Sequence, residues 1–261
     1  MNMTDKRYTA ITGASSGIGY ATALEFAKRN KSLILIARRE EQLIDLKHKI
    51  AEINPAVDVI IKLCDLSVAS NVHSLFQDLD QYFIETWINN AGFGNYGSVK
   101  EQDLNKIESM LHLNIEALTI LSTLYVRKYQ DQANTQIINL SSRGGYTIVP
   151  NAVTYCATKF YVSAFTEGLA HELKQAKAPL QAKVLAPAAT KTEFGQKANN
   201  VTDYDYNKSF AKYHSAEQMA QFLLALYDSD KVVGEISTKD FSFSLKDGLF
   251  PYSGNPAENQ K

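Results

Sequence analysis

A tyrosine and a lysine stand four residues apart in the segment YCATK, and their types suit them to acid–base chemistry. On a helix, Tyr155 and Lys159 would project from the same face. A phenol titrates near about pH 10, and a neighbouring ammonium stabilises the phenolate, so Lys159 could lower the pKa of Tyr155 towards the working range. Tyr155 could then act as general acid and base between a carbonyl and an alcohol. The alternative is an ordinary surface pair, in which the lysine stem packs on the ring.

Two further polar residues occupy places where an α/β protein could use them. Ser142 follows the strand-like run IINLS, and α/β sheets present their sites where strands end. A serine there is by default a turn or capping residue, and its neighbour Ser141 could fill that role. Asn114 lies in the apolar helical segment MLHLNIEALTIL, where the residues alone favour a buried amide with local hydrogen bonds.

The segment TGASSGIG forms a glycine-rich connection between a strand-like and a helix-like stretch. Gly13, Gly17 and Gly19 would permit a tight turn and let the backbone approach a pyrophosphate. The negative charge of a pyrophosphate suits the N-terminus of the following helix. The alternative is a tight strand-to-helix connection that binds nothing.

Three motifs occur in order along the chain: TGxxxGxG, the NNAG of residues 89–92, and YxxxK. Their order and spacing resemble those of the short-chain dehydrogenase/reductase family, from about residue 6 to about residue 192. The resemblance implies a Rossmann-like fold that binds a nicotinamide dinucleotide. It makes Ser142 the serine that holds the substrate oxygen beside Tyr155, and it makes Lys159 a ligand of the nicotinamide ribose hydroxyls. It also implies that Asn114 holds a water molecule of the proton relay.

The same resemblance implies further cofactor contacts, some with alternatives. Asp65 resembles the residue that contacts the adenine amino group, although an aspartate before a helix is also an ordinary cap. Pro187 matches the proline of a PG motif whose glycine is replaced here by Ala188. Thr192 matches a contact to the nicotinamide carboxamide, with Thr190 as a nearby alternative. The expected cofactor-binding residues are Gly13, Ser15, Ser16, Gly17, Ile18, Gly19, Arg38, Arg39, Asp65, Leu66, Asn90, Ala91, Gly92, Tyr155, Lys159, Pro187, Thr190 and Thr192.

The choice of cofactor depends on the residues that follow the second strand-like run. An acidic residue there would bind the adenosine ribose hydroxyls and repel a 2′-phosphate. Here LILIA ends at Ala37 and is followed by Arg38 and Arg39, whose guanidinium groups could bind a phosphate dianion. A solvated charge run that opens the next helix is the alternative. We predict that NADP(H) is preferred, with NAD(H) possible as cofactor.

These residues need a sheet whose strands end side by side, and the sequence pattern predicts one. Short apolar runs alternate with longer stretches of helical period, which is typical of βαβ units around a parallel sheet. Because LILIA is apolar at every position, helices should cover both faces. We predict an α/β fold with a doubly wound parallel sheet and helices on both faces. The predicted strands are 8–12, 33–37, 58–64, 86–89, 135–141, 180–186 and 241–245, and the predicted helices are 17–29, 40–53, 67–82, 104–129, 154–176 and 215–227.

Composition excludes several classes of protein. The 27 Lys and Arg residues are balanced by 28 Asp and Glu, so the broad basic field that binds nucleic acid is absent. Cys64 and Cys156 match no disulfide or thiolate-metal pattern, and no metal is expected. No apolar run approaches the roughly 20 residues that span a bilayer, and the first residues lack an apolar signal core. We expect a cytoplasmic protein without a nucleic-acid or membrane partner.

The sequence therefore predicts a single domain over residues 1–250, with an irregular tail at 251–261. Residues 191–214 are rich in Asn, Lys and Tyr without a clear period, and we interpret them as a mobile loop or short-helix flap at the substrate. The family resemblance implies a homodimer or homotetramer. Residues that follow the motifs could line the pocket, and their aromatic content suggests a moderately apolar carbonyl compound, although ordinary core packing accounts equally well for any one of them. These residues are Phe93, Asn95, Tyr96, Gly145, Tyr146 and Phe194.

The predicted function is NADP(H)-preferring oxidoreduction of a carbonyl compound and its alcohol, with Tyr155 as the general acid and base. One alternative is a protein on the same fold that senses NADP(H) without turnover. Ser142, Tyr155 and Lys159 are all present, which favours the enzyme. Another alternative is an NAD-dependent alcohol dehydrogenase.

Overall fold

The computed structural model describes residues 6–253, and an eight-stranded sheet runs through its centre. Its strand order is β10-β9-β6-β5-β4-β1-β2-β3, and all neighbouring strands are parallel except β10, which runs antiparallel to β9. The order reverses between β1 and β4, which is where such sheets bind ligands. The strands are Arg7–Thr12 (β1), Ser32–Ala37 (β2), Val59–Leu63 (β3), Phe83–Asn89 (β4), Gln136–Leu140 (β5), Gln181–Ala186 (β6), Val233–Ile236 (β9) and Phe243–Lys246 (β10), and a separate small sheet pairs Thr190–Lys191 (β7) with His214–Ser215 (β8).

Helices pack on both faces of the large sheet, as the predicted doubly wound fold requires. In β2, Leu33 and Leu35 enter the core shared with α1, α2 and α9, whereas Ile34 and Ile36 enter the core shared with α3, α5 and α6. This double burial explains why the strand is apolar at every position. The helices are Gly17–Lys28 (α1), Glu40–Ile53 (α2), Ala69–Asp78 (α3), Leu104–Leu111 (α4), Leu118–Tyr129 (α5), Val153–Gln175 (α6), Phe194–Asn199 (α7), Tyr206–Ser209 (α8) and Ala216–Asp228 (α9).

Hydrogen bonds between the buried side chains of Trp87, Asn89, Asn139 and Thr166, which we call the amide line, connect β4, β5 and α6. Asn89 and Asn139 face each other in the strand register, and Asn89 Nδ2 donates to Asn139 Oδ1 at 2.9 Å. Asn139 Nδ2 donates onwards to Thr166 Oγ1 at 2.9 Å, and Trp87 Nε1 donates to Asn89 Oδ1 at 2.7 Å. Because these groups satisfy one another, they can be buried without the cost of an unpaired polar atom.

Most predicted elements are present, and three differences have physical causes. The predicted helix 104–129 is interrupted by a wider π-helical turn at His112–Ala117, which contains Asn114. Val233–Ile236 was not predicted as a strand, since it is short and contains a glycine and a glutamate. The predicted strand 241–245 lies at Phe243–Lys246 and forms the antiparallel edge.

The segment predicted as a loop or short-helix flap, residues 191–214, contains the helices α7 and α8 and is closed at its base by β7 and β8. Residues 251–253, at the start of the predicted tail, have no regular structure, and residues 254–261 lie outside the described part of the chain, as do residues 1–5. Over residues 6–253, no helix is both long and apolar enough to cross a membrane.

Candidate active site

Two adjacent serines follow β5 and have different partners. Ser141 Oγ donates to the Lys159 carbonyl at 2.9 Å and lies 2.6 Å from Ser163 Oγ, so it ties the strand end to α6. Ser142 has an extended backbone and its Oγ accepts from Gly144 N at 3.0 Å, which starts a single turn of helix. Ser142 therefore fills the capping role itself, while Ser141 joins the strand end to α6, and the Ser142 hydroxyl also lies beside Tyr155.

Tyr155 lies near the start of α6 and is 7% exposed. Burial raises the pKa of its phenol well above the ordinary value, while a hydrogen bond with Ser142 acts in the opposite direction. The rings of Phe194 and Tyr96 lie 5.4 and 5.9 Å from the Tyr155 ring, measured between centroids. The phenol thus lies in a largely aromatic environment, and the Ser142 hydroxyl is the group that acts against burial on its pKa.

Lys159 lies one helical turn after Tyr155 and is also buried. Its Nζ donates to the Leu140 carbonyl at 2.8 Å and lies 5.9 Å from the centroid of the Tyr155 ring. Burial lowers the pKa of Lys159 to about 8. Burial, the largest influence on the phenol, raises the pKa of Tyr155, which is the opposite direction to the lowering predicted from Lys159.

The π-helical turn places Asn114 against the loop that follows β4. Asn114 Oδ1 accepts from Phe93 N at 3.2 Å, and its Nδ2 donates to the Phe93 carbonyl at 3.0 Å and to Thr158 Oγ1 at 3.1 Å. A Cβ on Gly92 would lie 3.0 Å from Asn114 Oδ1 and 3.5 Å from Lys159 Nζ. Asn114 and Lys159 therefore meet at Gly92, although the residues alone gave no reason to bring them together.

The glycine-rich turn lies across the switch point from these residues. Gly13 and Gly17 have φ angles of +67° and +57°, a region that suits glycine. A Cβ on Gly13 would lie 2.9 Å from Ala91 Cα, and one on Gly19 would lie 2.4 Å from Asn90 Nδ2. The turn can pass this close to the NNAG segment only because these residues lack side chains.

Hydrogen bonds hold the NNAG segment against the glycine turn. Thr12 Oγ1 accepts from the backbone N–H groups of Asn90 and Ala91, both at 3.0 Å, and Asn90 Nδ2 donates to the Thr12 carbonyl at 2.9 Å. Ser16 precedes α1 without a side-chain cap, and the first turn of α1 contains no acidic residue. A helix start with free N–H groups and small neighbours fits the pyrophosphate of a dinucleotide. Ser15, Ile18 and Leu66 lie in or beside this turn and the end of β3.

Two arginines follow β2 at the expected place, and they have different surroundings. Arg38 is 67% exposed at its side chain, and its Nη1 lies 3.5 Å from Asp65 Oδ2. Burial raises the pKa of Asp65, but hydrogen bonds with Ser67 and the charge of Arg38 lower it by more. The pKa of Asp65 therefore lies below its usual value. Arg39 Nε donates to Ser15 Oγ at 3.2 Å and its Nη1 donates to Glu193 at 3.1 Å.

The segment after β6 covers the glycine turn from above. The Pro187 carbonyl accepts from Arg143 N at 2.8 Å, and Thr190 Oγ1 donates to the Ala188 carbonyl at 2.9 Å. Thr192 lies nearest the turn: a Cβ on Gly17 would lie 3.1 Å from Thr192 Cγ2. Of the two threonines, Thr192 is therefore the one that faces the expected cofactor site.

Sequence reasoning did not single out Glu193 or Glu167. Glu193 follows Thr192 directly and contacts Arg39, so an acidic residue beside an expected cofactor contact was the available signal. Glu167 is 3% exposed and accepts from the Tyr146 hydroxyl at 2.6 Å and from Leu249 N at 2.7 Å. A lone glutamate on α6, three turns after Tyr155, carries no signal of this contact, because the partner lies far along the chain.

A mostly parallel sheet, a glycine-rich turn at its switch point and polar side chains gathered beside that turn define the nucleotide-binding class of α/β proteins. The model of the family described as short chain dehydrogenase matches residues 7–203, which is well over half of the chain. The chain therefore belongs to the short-chain dehydrogenase/reductase family.

Relatives with curated names agree with this membership. The chain is 30% identical over 207 residues to an uncharacterized oxidoreductase of Staphylococcus saprophyticus, covering 78% of this chain and 81% of that protein. It is 30% identical over 219 residues to human dehydrogenase/reductase SDR family member 11, covering 82% of each. It is 32% identical over 177 residues to the 7beta-hydroxysteroid dehydrogenase of Clostridium sardiniense, covering 66% of each.

Solved structures give the same result. A short-chain dehydrogenase from Sphingobium yanoikuyae in complex with NADPH matches with a TM-score of 0.81 and 27% identity, covering 90% of this chain and 89% of that chain. The bulky-bulky ketone specific alcohol dehydrogenase from Comamonas testosteroni matches with a TM-score of 0.77 and 25% identity, covering 89% and 86%. These similarities identify an oxidoreductase and support a nicotinamide cofactor.

Proposed function

We propose that this protein interconverts a carbonyl compound and its alcohol, with NADP(H) as the preferred cofactor. The observation that carries the proposal is the cluster of Ser142, Tyr155, Lys159 and Asn114 beside the glycine turn. The turn fits a dinucleotide because α1 begins there without a side-chain cap and without an acidic residue in its first turn, which suits a pyrophosphate. A bound nicotinamide supplies the hydride chemistry, and the protein supplies orientation and proton transfer.

The proposed mechanism uses the polar groups of the cluster in distinct ways. Ser142 holds the substrate oxygen next to Tyr155, and Tyr155 donates a proton to that oxygen during reduction or accepts one during oxidation. Lys159 would hold the ribose hydroxyls of the dinucleotide and, when its side chain is charged, stabilises the phenolate. Asn114 supports the relay that returns a proton to Tyr155. Because burial disfavours the phenolate, the reaction needs these partners to offset the raised pKa of Tyr155.

The preference for NADP(H) rests on the end of β2. Ala37 stands where an acidic residue would bind the ribose hydroxyls of NAD, and the exposed Arg38 follows it. A guanidinium can bind a phosphate dianion with two charge-assisted hydrogen bonds. The only ion pair of Arg38 among the described residues is a 3.5 Å contact with the half-exposed Asp65, so the guanidinium is open to a phosphate.

The proposed substrate is a moderately apolar carbonyl compound, bound under residues 191–214. Tyr96 and Phe194 form an aromatic wall against Tyr155. The names of two relatives point the same way, since one is a hydroxysteroid dehydrogenase and the other is specific for bulky ketones. Tyr146 stands apart from this wall, because its hydroxyl binds Glu167 and its ring stacks on Phe250.

We also propose that the protein forms a homodimer or homotetramer through α4, α5 and α6. Leu104 and Leu111 are exposed on α4 and Val153 is exposed on α6, and a partner would cover them. Light scattering coupled to size-exclusion chromatography gives the number of subunits directly.

The substitution Tyr155→Phe tests the proposed function. It removes the hydroxyl and keeps the ring, so we expect turnover to fall at least about a hundredfold, in line with the loss of a general acid. NADPH binding, measured by calorimetry, should remain within about threefold, since a phenylalanine of the same shape keeps the packing against Phe194. Turnover is measured as NADPH oxidation with a panel of apolar ketones.

The matched control is Tyr161→Phe, which removes a hydroxyl from the same helix away from the cluster. Tyr161 contacts Thr119 at 2.8 Å and is exposed. Equal turnover in Tyr155→Phe and Tyr161→Phe would remove Tyr155 from the acid–base role. Tight NADPH binding by the unsubstituted protein, with no ketone or alcohol turned over, would favour a sensing role instead.

A further inference from the structure

One ion pair joins the two walls of the proposed cofactor site, and the proposed mechanism gives it no part. Arg39 follows β2 and Glu193 follows β7, and Arg39 Nη1 lies 3.1 Å from Glu193 Oε1 and 3.0 Å from Oε2. The rest of the guanidinium binds Ser15 in the glycine turn, with Nε to Oγ at 3.2 Å and Nη2 to the carbonyl at 3.3 Å. Arg39 thus connects the turn below with the segment above.

The residues on both sides of Glu193 reach the reacting end of the site. Thr192 lies over Gly17. The Phe194 ring lies 5.4 Å from the Tyr155 ring, and Phe194 N donates to Thr192 Oγ1 at 3.2 Å. Because Thr192 and Phe194 are the chain neighbours of Glu193, a contact between this carboxylate and the glycine turn restrains both of them.

The two adjacent arginines are therefore used differently. The Arg38 side chain is 67% exposed. The Arg39 side chain is 35% exposed and has a partner on each wall of the proposed cofactor site, Ser15 and Glu193. Burial raises the pKa of Glu193, but hydrogen bonds from Arg39 and Lys197 outweigh it and hold this pKa below its usual value. Glu193 is accordingly charged at neutral pH, and a second anion near Arg39 would meet its repulsion.

We propose that Glu193 is a positioning residue that latches the segment 192–194 onto the glycine turn through Arg39, and that Arg38 alone reads the 2′-phosphate. This inference rests on the proposed function, because it assigns the nearby phosphate contact to a nicotinamide dinucleotide. It separates the two arginines: Arg38 sets the choice between NADPH and NADH, and Arg39 sets the placement of the segment that carries Phe194.

Hydrogen exchange of the amides in Phe194–Asn199, measured without any cofactor, tests the latch directly. Glu193→Gln and Arg39→Gln should each speed this exchange by about two- to fivefold, the effect of one partly exposed ion pair. The double variant should exchange no faster than either single variant, because both remove the same contact. Lys197→Gln is the matched control, since Lys197 binds Glu193 from within α7 at 2.9 Å and does not touch the turn.

Exchange in Glu193→Gln at the rate of the unsubstituted protein, or an equal increase in Lys197→Gln, would overturn the latch. Calorimetric titration with NADPH and with NADH tests the division between the arginines. Glu193→Gln and Arg39→Gln should leave the ratio of the NADPH affinity to the NADH affinity unchanged. Arg38→Gln should lower this ratio about tenfold or more, the effect of a lost charge-assisted bond. A matching loss of preference in Arg39→Gln would overturn the division.

The two experiments also distinguish this inference from the proposed function. If neither dinucleotide binds, the proposed function fails and the division of the arginines fails with it. The exchange measurement still decides whether Glu193 and Arg39 hold the segment, because it uses the protein without cofactor.

Discussion

At the scale of single residues, identity and spacing predicted which groups would meet, and the surroundings determined how they titrate. The spacing of Tyr155 and Lys159 on one helix predicted their proximity, and the structure places the Lys159 ammonium 5.9 Å from the ring. The lowering of the phenol pKa by Lys159 stays a prediction, since a pattern of residue types does not show how deeply each group is buried. Burial moves both groups towards their neutral forms.

Arg38 carries a prediction that belongs to this scale. Arg38→Asp replaces a phosphate-binding cation with a carboxylate that repels the 2′-phosphate and accepts hydrogen bonds from ribose hydroxyls. We expect the affinity for NADPH to fall at least about tenfold, with a much smaller change for NADH. Calorimetric titration with both dinucleotides measures the two affinities.

A control for the change in net charge is Arg127→Asp, because Arg127 is exposed in the last turn of α5. If Arg38→Asp weakens NADPH and NADH by the same factor, Arg38 does not read the 2′-phosphate. A drop in NADPH affinity in Arg127→Asp would point to the overall charge instead.

At the scale of elements, regular periodicity predicted the helices and strands well, and long-range contacts accounted for the exceptions. The helix predicted over 104–129 begins and ends at the predicted residues, but the turn around Asn114 widens where its side chain binds the Phe93 backbone. No periodicity could predict the small helices α7 and α8. Their positions depend on contacts such as Tyr206, whose hydroxyl accepts from Gly195 N and donates to the Thr192 carbonyl, both at 3.1 Å.

Lys183 offers a test of an element's end. This fully buried lysine on β6 donates to the carbonyls of Leu226, Tyr227 and Ser229, at 3.2, 2.9 and 2.6 Å, and so caps the C-terminus of α9. Burial lowers the pKa of Lys183 to about 8. An unfolded lysine titrates near about 10.4. The folded protein therefore binds fewer protons than the unfolded chain between these values, and its free energy of unfolding rises with pH there.

The substitution Lys183→Met removes this contribution. We expect the free energy of unfolding to rise less steeply between about pH 8 and 10 in the variant than in the unsubstituted protein, as measured by urea denaturation at several pH values. The effect of Lys159 is common to both proteins, so the difference isolates Lys183. Parallel pH dependences would show that Lys183 remains protonated in the folded state throughout this range.

At the scale of the whole molecule, the alternation of strand and helix predicted the two-faced sheet and its mostly parallel direction. It could not predict the antiparallel β10, because a short strand at the edge of a sheet pairs on one side only. It also could not predict that residues 249 and 250 bind Glu167 on α6, since that contact joins segments far apart in the chain. The layers of sheet and helix can be predicted from local sequence pattern. The contacts between the layers cannot, because they join residues far apart in the chain.

The amide line is such a contact, and Asn139→Leu tests it. The substitution introduces an apolar side chain of similar size, and it leaves Asn89 Nδ2 without one of its two acceptors and Thr166 without a donor. We expect the free energy of unfolding to fall by about 2–4 kcal/mol, the cost of unpaired buried polar groups across two neighbouring layers. Urea denaturation measures this loss.

Ser122→Ala is the control for Asn139→Leu, because it removes the other acceptor of Asn89 Nδ2 and leaves the bond to Asn139. It should cost about 1 kcal/mol or less. Equal losses in the two variants would mean that the line of amides is no stronger than its separate bonds.

The amide line also contains the chain's one tryptophan, and this has a spectroscopic consequence. Trp87 is fully buried, donates to Asn89 and lies 6.1 Å from Tyr125 between ring centroids. Its emission therefore originates in the middle of the sheet, next to tyrosines that can transfer excitation energy to it. A shift of this emission to longer wavelength on unfolding reports water entering between β4 and β5. The fluorescence of Trp87 therefore measures the opening of the contact between the two strands that precede the site.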